Sequence, residues 1–62
     1  MNKISVSWGS GDFATYIKDD IFNFDHLYAW IVNDSSNSFT IKLRNGQQHI
    51  LYKHSIKSVV CE

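Results

Sequence analysis

Asn45-Gly46, set between a run of alternating apolar residues and a second apolar stretch, constrains this chain more than any other feature. Before it, Phe39, Ile41 and Leu43 alternate with Thr40, Lys42 and Arg44. After it, residues 47–53 run back as a partner strand. Asn and Gly both tolerate the positive φ of a primed turn, so the segment predicts a β-hairpin. Hairpin register decides which side chains reach the core and which stay in water. The rest of the fold has to be built onto this pair.

With 62 residues the chain forms a single domain, 1–62. A domain this small buries only about 60% of its unfolded surface, so its core needs help. Small domains find that help in disulfides, metals or self-association. Cys61 is the only cysteine, so no internal disulfide forms. His49, His54 and Cys61 have no zinc-site spacing, and a closed site needs four ligands. No metal or cofactor is expected, and self-association is the remaining source of stability. No nucleophile, base and orienting group can be assembled, so the chain is not expected to be an enzyme. There is no charged-then-apolar leader and no long apolar run. The expectation is a soluble cytoplasmic protein with no membrane partner, and a lone thiol suits that reducing compartment.

Six basic residues balance six acidic ones, which argues against a strong non-specific hold on nucleic acid. The charges are unevenly spread. Asp12, Asp19, Asp20, Asp25 and Asp34 lie in residues 12–34 with only Lys18 against them. Lys42, Arg44, Lys53 and Lys57 lie in residues 42–57 with no acid. The pattern predicts one acidic and one basic surface, or solvated loops of either sign.

Ile4, Val6 and Trp8 alternate with Ser5 and Ser7 as a half-buried strand, and Gly9-Ser10-Gly11-Asp12 reads as a turn. Residues 13–24 have two readings. Phe13, Tyr16, Ile17, Ile21 and Phe24 fit one face of a helix that Asp12 could cap. A strand over 15–23 is disfavoured by Asp19-Asp20 in a pleated row. Residues 27–32 are apolar on both faces of a strand, which predicts a sandwiched strand or a subunit contact. Tyr28 and Trp30 would then share a face, as core or as a base-stacking pair. Residues 33–37 are a loop, and Ile56, Val59 and Val60 form a last short strand after a break near Ser55.

The centre of the C-terminal half is Gln48-His49-Ile50-Leu51-Tyr52-Lys53-His54-Ser55-Ile56, with Phe39 thirteen residues before Tyr52. This stretch resembles the second Sm motif of the bacterial RNA chaperone Hfq family over residues 39–60. Upstream, Asn23-Phe24-Asp25-His26-Leu27-Tyr28-Ala29 resembles the first Sm motif, with Phe24 and Ala29 in place of its two glycines. The resemblance implies a mostly β fold, a small, strongly bent, five-stranded Sm-like barrel. One short helix joins it where residues 13–22 take the helical option. It also implies a cytoplasmic homo-hexameric ring that binds U-rich single-stranded RNA at a pore face and acts in riboregulation.

By the family's pattern, Phe39 stacks a uracil, Lys53 reaches the base edge and His54 the phosphate. Ser38 stands where the family often has Gln. His49 falls in the site on the opposite ring face, and Arg44 lies near the lateral edge. The competing readings are structural: Phe39 as core, His54 bonding backbone at the break, and Lys53, His49 and Arg44 solvated. A different class of function also fits the neutral total and the acidic first half. In it the chain is a small β-barrel protein-interaction module, an inhibitor or antitoxin-like partner without RNA binding.

Overall fold

A computed structural model describes residues 1–62. Five strands form two antiparallel sheets, joined by one α-helix and two short 3-10 turns. β1 (Lys3–Trp8), β2 (Phe13–Ile17) and β5 (Ile56–Cys61) make one sheet in the order β2-β1-β5. β3 (Ser38–Lys42) and β4 (Gln48–Tyr52) make the other. The helix α1 (Phe24–Asn33) packs against β3. The fold is therefore mostly β, and its two sheets do not close into a continuous hydrogen-bonded barrel. They meet at a single bridge between Ile21 and Leu43.

The predicted hairpin is present, but its turn differs from the expected primed type. Gly46 has φ +94° while Asn45 keeps a negative φ. Gly46 N–H donates to Leu43 O at 3.1 Å and Leu43 N–H to Gln47 O at 2.9 Å. That is a three-residue loop closed by one glycine bulge, the next most common hairpin solution. Asn45 contributes its side chain instead, accepting from Gln47 N–H at 2.9 Å.

The expected helix over residues 13–22 is not there. Residues Phe13–Ile17 are strand β2, and Lys18–Asp20 form a 3-10 turn. The turn after β1 returns the chain directly along it, from Ser7 opposite Phe13 to Lys3 opposite Ile17. This ladder competes with helix formation in a segment whose Phe, Thr, Tyr and Ile favour strands anyway. The apolar spacing misled because Phe13 and Ile17 point into solvent and only Tyr16 of that segment is buried. Asp12 caps no helix; its carboxylate accepts from the Ser10 hydroxyl at 3.1 Å.

The expected strand over 27–32 is replaced by α1. Phe24, Leu27 and Trp30 are its buried residues, one helical turn apart, with Ile31 packed beside them. A short run apolar on both strand faces is also what a helix with a broad apolar stripe looks like, and length decides between them. The stretch aligned with the first Sm motif is thus helical, and no strand bend occurs at Phe24 or Ala29. Asn23 sits at the helix start without capping it. Its amide instead donates to Thr40 O at 2.9 Å and accepts from Lys42 N–H at 3.0 Å, tying the helix entry to the edge of β3.

Nine residues form the core: Ile4, Val6, Tyr16, Ile21, Phe24, Leu27, Trp30, Ile41 and Leu51. They come from α1, from Ile21 at the bridge and from every strand except β5, which contributes the half-buried Ile56 and Val59. No helix is long and apolar enough to cross a membrane.

Candidate nucleic-acid interface

The C-terminal end of α1, the loop after it, the start of β3 and the turn after β4 converge at one end of the molecule. Register brings this about. Ser38 pairs with Tyr52 and Phe39 with Leu51, and Lys53 N–H donates to Asn37 O at 2.8 Å. The 3-10 turn Lys53–Ser55 therefore begins beside the start of β3.

Trp30 is the floor of this end. It is 2% exposed, and its indole N–H donates to Ser36 O at 3.0 Å. The half-buried Phe39 ring stacks on it, with centroids 5.5 Å apart and planes at 29°. The Lys53 ammonium lies 5.0 Å from the Trp30 ring centroid, a cation over an aromatic face. The same ammonium donates to the backbone carbonyl of Asp34, the residue that ends α1. Lysine near a helix C-terminus meets both free carbonyls and the negative end of the helix dipole.

Asp34 closes the loop. Its carboxylate accepts from Ser36 N–H at 2.8 Å. That bond and then the Ser36 hydroxyl hold its carboxyl below the usual aspartate range; desolvation opposes them, and the Lys53 charge adds the smallest downward push. Beside the Trp30–Phe39 stack is an open depression of about 590 Å³, lined also by His26, Ala29, Asn33, Asp34 and Ser35. It offers an aromatic flank with amide, carboxylate and imidazole groups at its rim.

The other sequence-derived residues fall elsewhere. His54 follows Lys53 but is exposed, its ring 6.0 Å from that of Tyr52 and tilted by 48°. Ser38 is exposed and, by strand alternation, on the opposite face of β3 from Phe39. His49 is exposed on β4, 3.5 Å from the Tyr16 hydroxyl through Nδ1 and edge-on to that ring. Arg44 is at the far end of the hairpin. Its Nε–H donates to Asp19 O at 2.7 Å, its backbone N–H to Asp20 O at 2.9 Å, and its guanidinium lies 4.7 Å from the Phe22 ring centroid. It fastens the hairpin to the Lys18–Asp20 turn. No three His, Cys, Asp or Glu side chains come together as a metal site.

Two members of this end have other expectations attached to them in the sequence. Trp30 is expected on a strand face shared with Tyr28, as core, subunit contact or a base-stacking pair; on α1 it is instead buried while Tyr28 is exposed, and the helix turns it toward Phe39. Asp34 was read as loop, although Asp-Ser-Ser after an apolar run is a recognisable side-chain turn signal. Comparison with protein-family models, with curated proteins and with solved structures finds no match.

Proposed function

We propose that this chain is an Sm-like, Hfq-like RNA-binding protein, with its bent strands acting as the family's barrel. Copies associate in a cytoplasmic ring and hold U-rich single-stranded RNA in post-transcriptional regulation. Phe39 stacks a uracil, Lys53 reaches the base edge, and His54 meets the phosphate. The observation that carries this reading is the convergence of Phe39 and Lys53 on Trp30, although they are fourteen residues apart in sequence. Stacking surface and cation are the two requirements of single-strand binding. Lys53 keeps donors beyond the one given to Asp34, since an ammonium carries three.

Strand edges support the ring. β4 pairs only with β3, and β5 only with β1, so each has an open outer edge. Ile50, Tyr52 and Val60 on these strands are exposed. The Lys53–Ser55 turn joins the two strands, so pairing β4 of one copy with β5 of the next brings Lys53 and His54 near each seam.

A second reading, an inhibitor-like or antitoxin-like module without RNA binding, is favoured by the surface around Phe22. That ring is 63% exposed and lies in a shallow hollow where Asp19 and Asp25 stand with Lys18 and Arg44. An exposed aromatic among charges of both signs suits a protein partner of complementary charge rather than a polyanion.

Fluorescence anisotropy with oligo-uridine tests the proposal. Phe39→Ala should weaken binding by about 1–3 kcal/mol, the worth of one stacked base. Lys42→Ala, which removes an exposed charge from the other end of β3, should leave binding nearly unchanged. No binding by folded wild-type protein at low salt, or equal losses from the two variants, overturns the pocket and leaves the protein-partner reading.

A further inference from the structure

We infer that β2 is a second, independent contact surface, pairing antiparallel with β2 of another copy of this chain about a two-fold axis at Thr15. The contact uses the edge of the three-stranded sheet opposite β5 and goes beyond the ring.

β2 is the terminal strand of its sheet. Trp8 N–H donates to Asp12 O, and Lys18 N–H to Asn2 O, so the backbone groups of residues 12 and 18 face β1. The period of two turns Ala14 and Tyr16 the same way and leaves the N–H and C=O groups of Phe13, Thr15 and Ile17 pointing outward. The strand is Phe-Ala-Thr-Tyr-Ile, without lysine, proline or bulge, the devices that normally protect an edge. Phe13 is 77% exposed and Ile17 45%.

The sequence around Thr15 is self-complementary. An antiparallel pair centred there sets Thr15 opposite Thr15, Phe13 opposite Ile17, Ala14 opposite Tyr16 and Asp12 opposite Lys18. The outward-facing residues 13, 15 and 17 oppose one another, so each of these pairs exchanges both its hydrogen bonds. Both exposed apolar side chains are covered, each by the other's counterpart. Asp12 and Lys18 fall at the closely spaced, non-hydrogen-bonded positions, where side chains interact best. They do so twice, once on each side of the axis. A slip by one pair in either direction destroys this. One slip sets Asp12 against Asp20, and the other sets Lys18 against Ser10 and moves Phe13 off Ile17. Only the register centred on Thr15 satisfies backbone, apolar and charged groups together.

Cysteine cross-linking in a Cys61→Ser background tests the register. Directly opposed, hydrogen-bonded residues have Cα atoms about 5.5 Å apart, within the range a disulfide spans. Thr15→Cys should therefore oxidise to a covalent dimer several-fold faster than Ser5→Cys, which sits beside it on the central strand. Adding Asp12→Lys or Lys18→Asp should slow dimer formation about tenfold, since each sets like charges opposite at two places. Combining the two swaps should restore it. Both positions are exposed at the ends of β2, and circular dichroism confirms that each variant is folded. The proposal is overturned if Thr15→Cys reacts no faster than Ser5→Cys, if single swaps change nothing, or if the double swap fails to restore. The readout is a denaturing gel, so neither a missing ring nor missing RNA binding alters its meaning.

Discussion

Single side chains at this molecule's two ends do different work. Tyr16 is the one core residue with an ionisable group, and its hydroxyl meets His49 at the rim between the sheets. Burial pushes its phenol above the usual tyrosine value of about 10. The folded state therefore holds this proton more tightly than the unfolded chain does. The resulting stability is fully present below about pH 10 and is lost as pH rises through the folded value. Tyr16→Phe removes that loss. Denaturant midpoints measured across the alkaline range should fall less steeply for the variant than for wild type. Parallel curves would mean that Tyr16 ionises without opening the core. The aromatics at the other end follow a different logic. Phe39 is half-buried against Trp30, so only the ring surface that Trp30 leaves uncovered is open to the stacking proposed for it.

At the scale of elements, Lys53 links α1 to the turn that follows β4. Its ammonium on the Asp34 carbonyl and over Trp30 holds the helix end to the hairpin end. Lys53→Ala should cost about 1 kcal/mol, by analogy with other helix C-terminal cations and charged hydrogen bonds. For a domain of this size that is a drop of about 4–8 °C in Tm. Lys53→Arg should recover most of it, since a guanidinium can also reach the carbonyl. An unchanged Tm in Lys53→Ala would show that its bond to Asp34 and its place over Trp30 add nothing to stability. The hairpin on which Lys53 rides was legible because its signal is local: Asn45-Gly46 and flanking alternation need no distant partner. β1 and β5 were legible for the same reason. β2 and α1 were exchanged because each is decided by distant contacts. Phe13–Ile17, whose residues already favour a strand, is fixed as one by its ladder with β1. Residues 24–33 become a helix because Phe24, Leu27 and Trp30 fill the space between the sheets. The site was legible in part: Phe39 and Lys53 follow from hairpin register, while Trp30 and Asp34 enter only once the helix is known.

For the whole molecule, the governing fact is how little of it is core. Nine buried residues must hold a chain that also exposes Phe13, Phe22, Ile50, Tyr52 and Val60. Open edges on β2, β4 and β5 give it ready places to add strands, and covering them would bury part of that apolar surface. Association by β4 and β5 would close a cyclic ring, whereas association by β2 is two-fold and would join rings or monomers in pairs. Native mass separates the two. A ring has a mass near six times the 7.2 kDa of one chain, and β2 pairing adds even multiples that disappear with Asp12→Lys. RNA binding by such an assembly should depend on salt, but with a shallow slope. Log affinity for a single strand falls with log salt at about 0.7 per phosphate neutralised. With six basic and six acidic residues per chain, few cations are free to neutralise phosphate. Lys53 is partly engaged by Asp34, and Arg44 by Asp19. Affinity should therefore come from several stacked uracils held at once around a ring. Oligo-uridine long enough to span neighbouring subunits should bind far more tightly than a trinucleotide. Its salt slope should approach about 0.7 times the number of subunits contacted and not follow the number of phosphates in the oligomer. Equal affinity for short and long oligomers would show that the subunits act singly, and a slope that tracks phosphate count would replace the stacking pocket with a diffuse basic surface.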